Sequence, residues 1–159
     1  MNLQTKITVA APDFLIDYNS RLMMLGSCFA ENMGRKFSYY KFDVDVNPCG
    51  IIYNPLSVAN VLRLIVEGKQ FEKSDLRQVG GKWVSLYHHG AFSSTDPDEC
   101  LRRINDRLTK ATGELRTLDL LVITWGTAWV YRYTRENIVV SNCHKIPSQE
   151  FERSRLSVE

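Results

Sequence analysis

An α/β fold on a mainly parallel sheet is the architecture the sequence predicts, and three observations support it. Short apolar runs alternate with segments of helical periodicity along a chain of 159 residues. One run, residues 118–126 ("LDLLVITWG"), is almost continuously apolar, which is how a strand covered on both faces of a parallel sheet reads. The runs end in glycine or in Asn-Pro, beside polar groups, where ligands sit in sheets of this class. The length suits a single domain with a real core.

The elements follow in order. "RLMMLG" (21–26) reads as a short buried strand ending at Gly26. Helical spacing comes next: Phe29, Met33 and Phe37 share one face, with Arg35 and Lys36 turned away. Ser27 and Cys28 therefore fall in or at the first turn, and Ser27 suits an N-cap. "KFDVDV" (41–46) alternates like a strand, and residues 47–55 form a loop. Asn54 and Pro55 open a helix whose apolar positions are Val58, Val61, Leu62 and Ile65, and Gly68 ends it. Residues 82–94 start as a strand and finish as a loop. Residues 95–113 form a helix with Asp96 as cap, Pro97 first, Glu99 completing a capping box, and a stripe of Leu101, Ile104 and Leu108. After the run at 118–126, "AWVYRY" and "NIVVSN" pair as a hairpin around Thr134 to Asn137. Beyond "NCHKIP" (142–147) the chain turns polar and no further element is expected.

Composition excludes several classes. The net charge is +2, from 20 basic and 18 acidic residues spread along the chain, so nucleic-acid and membrane-surface binding are not expected. No apolar run approaches the roughly 20 residues of a membrane span. Residues 1–14 lack the apolar core of a signal peptide, which makes a cytoplasmic location the expectation. Cys28, Cys49, Cys100 and Cys143 show no CxxC spacing and are expected as free thiols, mostly buried. A metal set of Cys143, His144 and His88 or His89 is disfavoured, because adjacent Cys and His do not easily ligate one ion. No metal or other cofactor is expected.

The chemistry concentrates at Ser27 and Cys28. Backbone N–H groups at a helix start stabilise negative charge, whether a thiolate or the oxyanion of a tetrahedral intermediate. Either nucleophile needs a base, usually histidine. The chain has His88, His89 and His144, of which His89 and His144 are the candidates.

"LGSCFAENMGRKF" resembles the signature of the bacterial GSCFA family, named for Gly26-Ser27-Cys28-Phe29-Ala30. The resemblance continues through "NPCGIIYNPLS", "HHGAFSS", "ITWGTAWVY" and "NCHKIP", in family order across residues 23–151. It implies kinship with SGNH/GDSL hydrolases: a flavodoxin-like three-layer α/β/α fold, and hydrolysis of esters, often acyl groups on carbohydrate. An ungapped match to the Gly-Asp-Ser block makes Cys28 the nucleophile; a one-residue slip makes it Ser27. Gly26 leads that block, Gly50 with Asn47 beside it matches the oxyanion glycine, and Gly126 opens the third block. There Ala128 stands where asparagine is usual, leaving Thr127 as the hydroxyl available. No Asp-x-x-His follows His144, so residues 1–159 read as one GSCFA domain, its N-terminal portion, with a sheet incomplete at the C-terminal end. Such a sheet exposes an edge and invites self-association.

The expected partner is a small-molecule or carbohydrate ester. The alternative is a non-catalytic carbohydrate- or partner-binding module on a hydrolase-derived fold. Trp83, Trp125 and Trp129 would then stack on sugar faces rather than pack in the core.

Overall fold

The computed structural model describes residues 5, 7, 8, 10 and 12–158. The sequence expectation for residues 1–14 falls partly outside that set.

The chain first builds a strand–helix–strand unit. Strand β1 (Arg21–Gly26) passes through Ser27 into helix α1 (Cys28–Tyr39), and strand β2 (Asp43–Val46) returns parallel to β1. Helix α1 packs through its small residues, because Ala30 and Gly34 are its buried positions. A Cβ on Gly34 would lie 2.4 Å from a Val46 methyl, so the glycine lets α1 lie close on β2. Phe29 on the predicted aromatic face is exposed, and Met33 and Phe37 are half-buried.

Helix α2 (Pro55–Glu67) starts as predicted: Asn54 Oδ1 accepts from Ser57 N–H at 2.8 Å, and Gly68 ends the helix at φ +61°. Helix α3 (Pro97–Leu115) is capped by Asp96, whose carboxylate accepts from Asp98 N–H. The expected capping box does not close, since the Glu99 carboxylate goes instead to Arg102 and Arg103. The buried stripe runs Cys100, Ile104, Leu108 and Ala111, with Leu101 at its margin. Between α2 and α3, strands β3 (Arg77–Val79) and β4 (Lys82–Val84) form a hairpin. Its turn is Gly80-Gly81, both at positive φ, as a tight two-residue turn requires.

Strand β5 (Leu120–Thr124) completes a parallel sheet of order β2-β1-β5. The run expected to be covered on both faces is therefore an edge strand, and Ile123 remains 37% exposed. The central position belongs to β1, where Leu22, Met23, Met24 and Leu25 are all buried. Met23 and Leu25 share a core with Val58, Val61 and Ile65 of α2 and Ile104 and Leu108 of α3.

Among the described residues the parallel sheet has three strands, and the other five strands pair antiparallel. The predicted hairpin is present as β6 (Trp129–Tyr133) and β7 (Ile138–Val140). Strand β8 (Phe151–Arg155) was not expected. It pairs with the other edge of β6, and the Arg153 guanidinium sits 3.9 Å over the Trp129 ring. Four of its five residues are exposed, so it carries no apolar alternation by which to recognise it.

Candidate active site

The site is built where β1 becomes α1. Gly26 has φ +127°, and its N–H donates to Asn47 Oδ1 at 2.9 Å. Asn47 Nδ2 in turn donates to Glu31 Oε2 of α1 at 3.0 Å. One asparagine thus ties the end of β1, the 47–50 turn and the first turn of α1 together. Its own φ is +44°, which asparagine tolerates better than most residues.

Ser27 is 7% exposed and is the N-cap of α1. Its Oγ accepts from Phe29 N–H at 3.3 Å and shares a hydrogen bond with Thr124 Oγ1 at 3.0 Å. Its own N–H donates to the Thr124 carbonyl and hydroxyl oxygens. Cys28 is the first helical residue and its side chain is exposed. Of the N–H groups that a helix start leaves without intrahelical partners, Ser27 and Phe29 find theirs here. The Cys28 N–H has no partner among the described residues.

The glycines implied by the resemblance lie around this junction, but their donors serve the fold. Gly50 N–H closes the turn by donating to Asn47 O at 2.7 Å. Gly126 and Thr127 N–H both donate to Tyr53 O, at 2.8 and 3.2 Å. A Cβ on Gly126 would lie 2.8 Å from the Tyr53 ring and 3.7 Å from Ser27 Cβ, so the Gly126 turn lies against Ser27. The Thr127 hydroxyl accepts from Trp129 N–H and starts β6. Thr124, Tyr53 and Glu31 were not foreseen as members of the site. The signals lay inside the same blocks: Thr124 in "ITWG", Tyr53 in "IIYNP" and Glu31 in "FAEN".

The histidines are placed differently from one another. His88 is fully buried between the Phe71 and Phe92 rings, with Nδ1 at 2.9 Å from Ser85 Oγ. Burial, reinforced by the charge on His144, pushes it down to about 3, so it is a neutral core group. His144 Nε2 lies 2.8 Å from Ser85 O and 3.0 Å from His88 O; two carbonyl acceptors require the proton on that nitrogen. Burial also holds His144 below the ordinary imidazole value. His89 is exposed, and its Nδ1 accepts from Ala91 N–H. It packs on the 47–50 turn: a Cβ on Gly50 would fall 2.2 Å from His89 Cβ. None of the three hydrogen-bonds to Ser27 or Cys28 among the described residues.

Cys49, beside Gly50, is fully buried, and burial pushes its thiol up to about 12, which leaves it inert. Cys100 is also buried and Cys143 half-buried; all four thiols are free. Trp125, next to Gly126, is 65% exposed. Trp83 is half-buried, and Trp129 is covered on one face by Arg153. Among the described residues no group of three or more His, Cys, Asp or Glu is placed to hold a metal ion. No helix among them is long and apolar enough to cross a membrane.

Residues 21–159 match the family model described as the GSCFA family. No curated protein and no solved structure matches the chain.

Proposed function

Because the chain belongs to the GSCFA family, we propose that it carries the nucleophile and helix-start oxyanion site of an SGNH-like ester hydrolase, acting on acylated small molecules or carbohydrates. The observation behind this reading is the β1–α1 junction. A thiol is exposed at the first helical position while the surrounding hydrogen bonds hold the backbone in place. A flavodoxin-like three-layer arrangement belongs to the same proposal. It is supported by α1 packing on β1 and β2, while α2 and α3 share a core with the alternate β1 side chains Met23 and Leu25. Self-association along the open edge of β5 belongs to it as well.

Between the two nucleophile candidates, the geometry favours Cys28. The Ser27 hydroxyl is buried and spent on Phe29 N–H and Thr124, so Ser27 is a positioning residue. In the first step the Cys28 thiolate bonds to the acyl carbon and the carbonyl π electrons move onto oxygen. Donors at the helix start, Cys28 N–H among them, hold that oxyanion. Collapse breaks the ester C–O bond, and the leaving oxygen takes a proton. Water then adds to the thioester, the acid departs and the thiolate is restored. For proton transfer the reading takes His89, the exposed imidazole packed against the turn that anchors Gly26.

The test compares Ser27→Ala with Cys28→Ala in the full product of the native gene, using p-nitrophenyl ester hydrolysis and labelling by the transferred acyl group, read by intact mass and peptide mapping. Cys28→Ala is expected to lose at least two orders of magnitude and all labelling, as loss of a nucleophile does. Ser27→Ala is expected to keep labelling while losing about 1 kcal/mol of stability with its cap. Labelling that survives Cys28→Ala but not Ser27→Ala would transfer the role to Ser27. A wild-type protein that neither labels nor turns over sinks the reading.

Two observations favour a second reading, a carbohydrate-binding module without turnover: among the described residues no imidazole hydrogen-bonds to Ser27 or Cys28, and Trp125 is exposed beside Gly126. In that case Trp125→Ala abolishes glycan binding measured by calorimetry, and Cys28→Ala leaves it unchanged. Binding indifferent to Trp125→Ala rejects it.

A further inference from the structure

A cavity of about 610 Å³ lies between the β3–β4 hairpin, the His89–Ser93 segment and the turn at residues 142–145. That volume suits a ligand of sugar size or larger. Its charged lining residues are Lys82 and Lys145; its other polar residues are His89, Ser93, Asn142 and His144, and among the described residues no carboxylate lines it.

The two lysines stand out from their neighbourhood. Arg77 pairs with Glu136, Lys69 with Asp75 and Arg135 with Glu150. Lys82 and Lys145 have no ion-pair partner among the described residues. Two positive charges thus share one concavity without a protein anion to neutralise them, and the low-dielectric walls strengthen their joint field.

The wall that presents Lys145 is held in an uncommon conformation. His144 and Lys145 have φ of +48° and +62°, consecutive left-handed residues that are not glycine. Such geometry persists only where the surroundings impose it. Here Asn142 Oδ1 accepts from His144 N–H at 2.9 Å, and Ile146 N–H donates to Cys143 O. The His144 ring is pinned to the carbonyls of Ser85 and His88. His144 therefore locks the turn that brings Lys145 to the cavity. The opposite wall connects to the candidate active site, because His89 packs on Gly50 of the turn that anchors Gly26.

We propose that this cavity binds an anionic group, carboxylate or phosphate, through Lys82 and Lys145. On the esterase reading, the substrate is then an acidic ester, such as an acylated sugar acid or sugar phosphate, held by its anion while the ester lies at Cys28.

The experiment titrates the full native gene product with inorganic phosphate, galacturonate and galactose, followed by calorimetry and amide chemical shifts at low ionic strength. Saturable binding of phosphate, galacturonate or both is expected, with galactose much weaker. The anion that binds tighter identifies the group. Lys82→Gln/Lys145→Gln should weaken binding at least tenfold, and added salt should weaken it further. Lys36→Gln/Lys41→Gln removes the same charge in α1 and the turn that follows it, and should change binding less than twofold. The inference is overturned if neither anion binds, if both double variants lose affinity equally, or if galactose binds as tightly as galacturonate. The arms separate the two proposals. Lysine-dependent binding without ester turnover sinks the esterase reading alone, and turnover without lysine-dependent binding sinks this inference alone.

Discussion

Gly26→Ala is expected to cost about 3 kcal/mol or more, a large share of the roughly 5–15 kcal/mol typical of a native domain. Two effects act together. At φ +127° a side chain is strained wherever it points. Here the new Cβ would also lie 1.9 Å from the Thr124 carbonyl oxygen and 2.9 Å from its hydroxyl. The first of these is backbone and cannot swing aside. To make room, β5 must move away from β1 at the Gly26–Thr124 register pair, and Ser27 N–H loses both acceptors on Thr124. Gly80→Ala is the control. Gly80 also has positive φ, +55°, but open space around it, so only the left-handed penalty of about 1–2 kcal/mol applies. Urea denaturation of both variants checks the claim, and equal losses would show that the close approach at Thr124 has no consequence.

Arg107→Ala is expected to cost about 3–5 kcal/mol at neutral pH, the usual result of leaving one member of a buried pair uncompensated. Asp45 lies in the parallel sheet with its side chain 5% exposed, and Arg107 reaches it from α3 with two nitrogens. The same guanidinium also donates to Val46 O at 3.2 Å. Burial alone would raise the Asp45 carboxyl. Hydrogen bonds from Glu114 and Arg107, with the Arg107 charge, outweigh burial and hold it below its ordinary 3.8. Glu114 moves the other way: burial, then the hydrogen bond with Asp45, raise it above 4.5. Its Oε2 is buried and has no hydrogen-bond partner among the described residues.

The signs follow from linkage. Asp45 has a lowered folded value, so its contribution is complete above about pH 4 and is lost as pH falls through that lowered value. Glu114 has a raised value, so its contribution is complete below 4.5 and fades as pH rises through the folded value. The difference between wild type and Arg107→Ala should therefore be large at pH 7 and shrink as pH falls below 3.8 and through the lowered Asp45 value, where the carboxyl takes up a proton. A loss under 1 kcal/mol at pH 7, or one that does not change with pH, contradicts this account.

Much of the candidate site was legible in the sequence because its members lie in short blocks with local signals. Gly26, Ser27 and Cys28 sit at a strand-to-helix change of period, and Asn47 and Gly50 in a turn. The structure gathers them at one junction, with Gly126 against Ser27. What those groups do with their hydrogen bonds was not legible. Gly50 N–H closes a turn, Gly126 N–H serves Tyr53 O, and the Asn47 side chain spans β1 and α1. Each of these depends on which distant residue comes within about 3 Å, and periodicity carries no such information.

By itself the sequence determined the family blocks, the caps of α2 and α3 and most of the apolar stripes of those two helices, though not the buried face of α1, because a cap or a helical face involves residues only a few positions apart. It also placed Ser27 and Cys28 at the start of α1. Only the tertiary structure decided that β1 rather than β5 is the central strand, that Ser27 is buried while Cys28 is exposed, and that β8 joins β6. It alone brought Lys82 and Lys145, far apart in the chain, to the same cavity. The physical reason is range: strand order, burial and charge juxtaposition arise from pairings across the chain, and no local pattern encodes them.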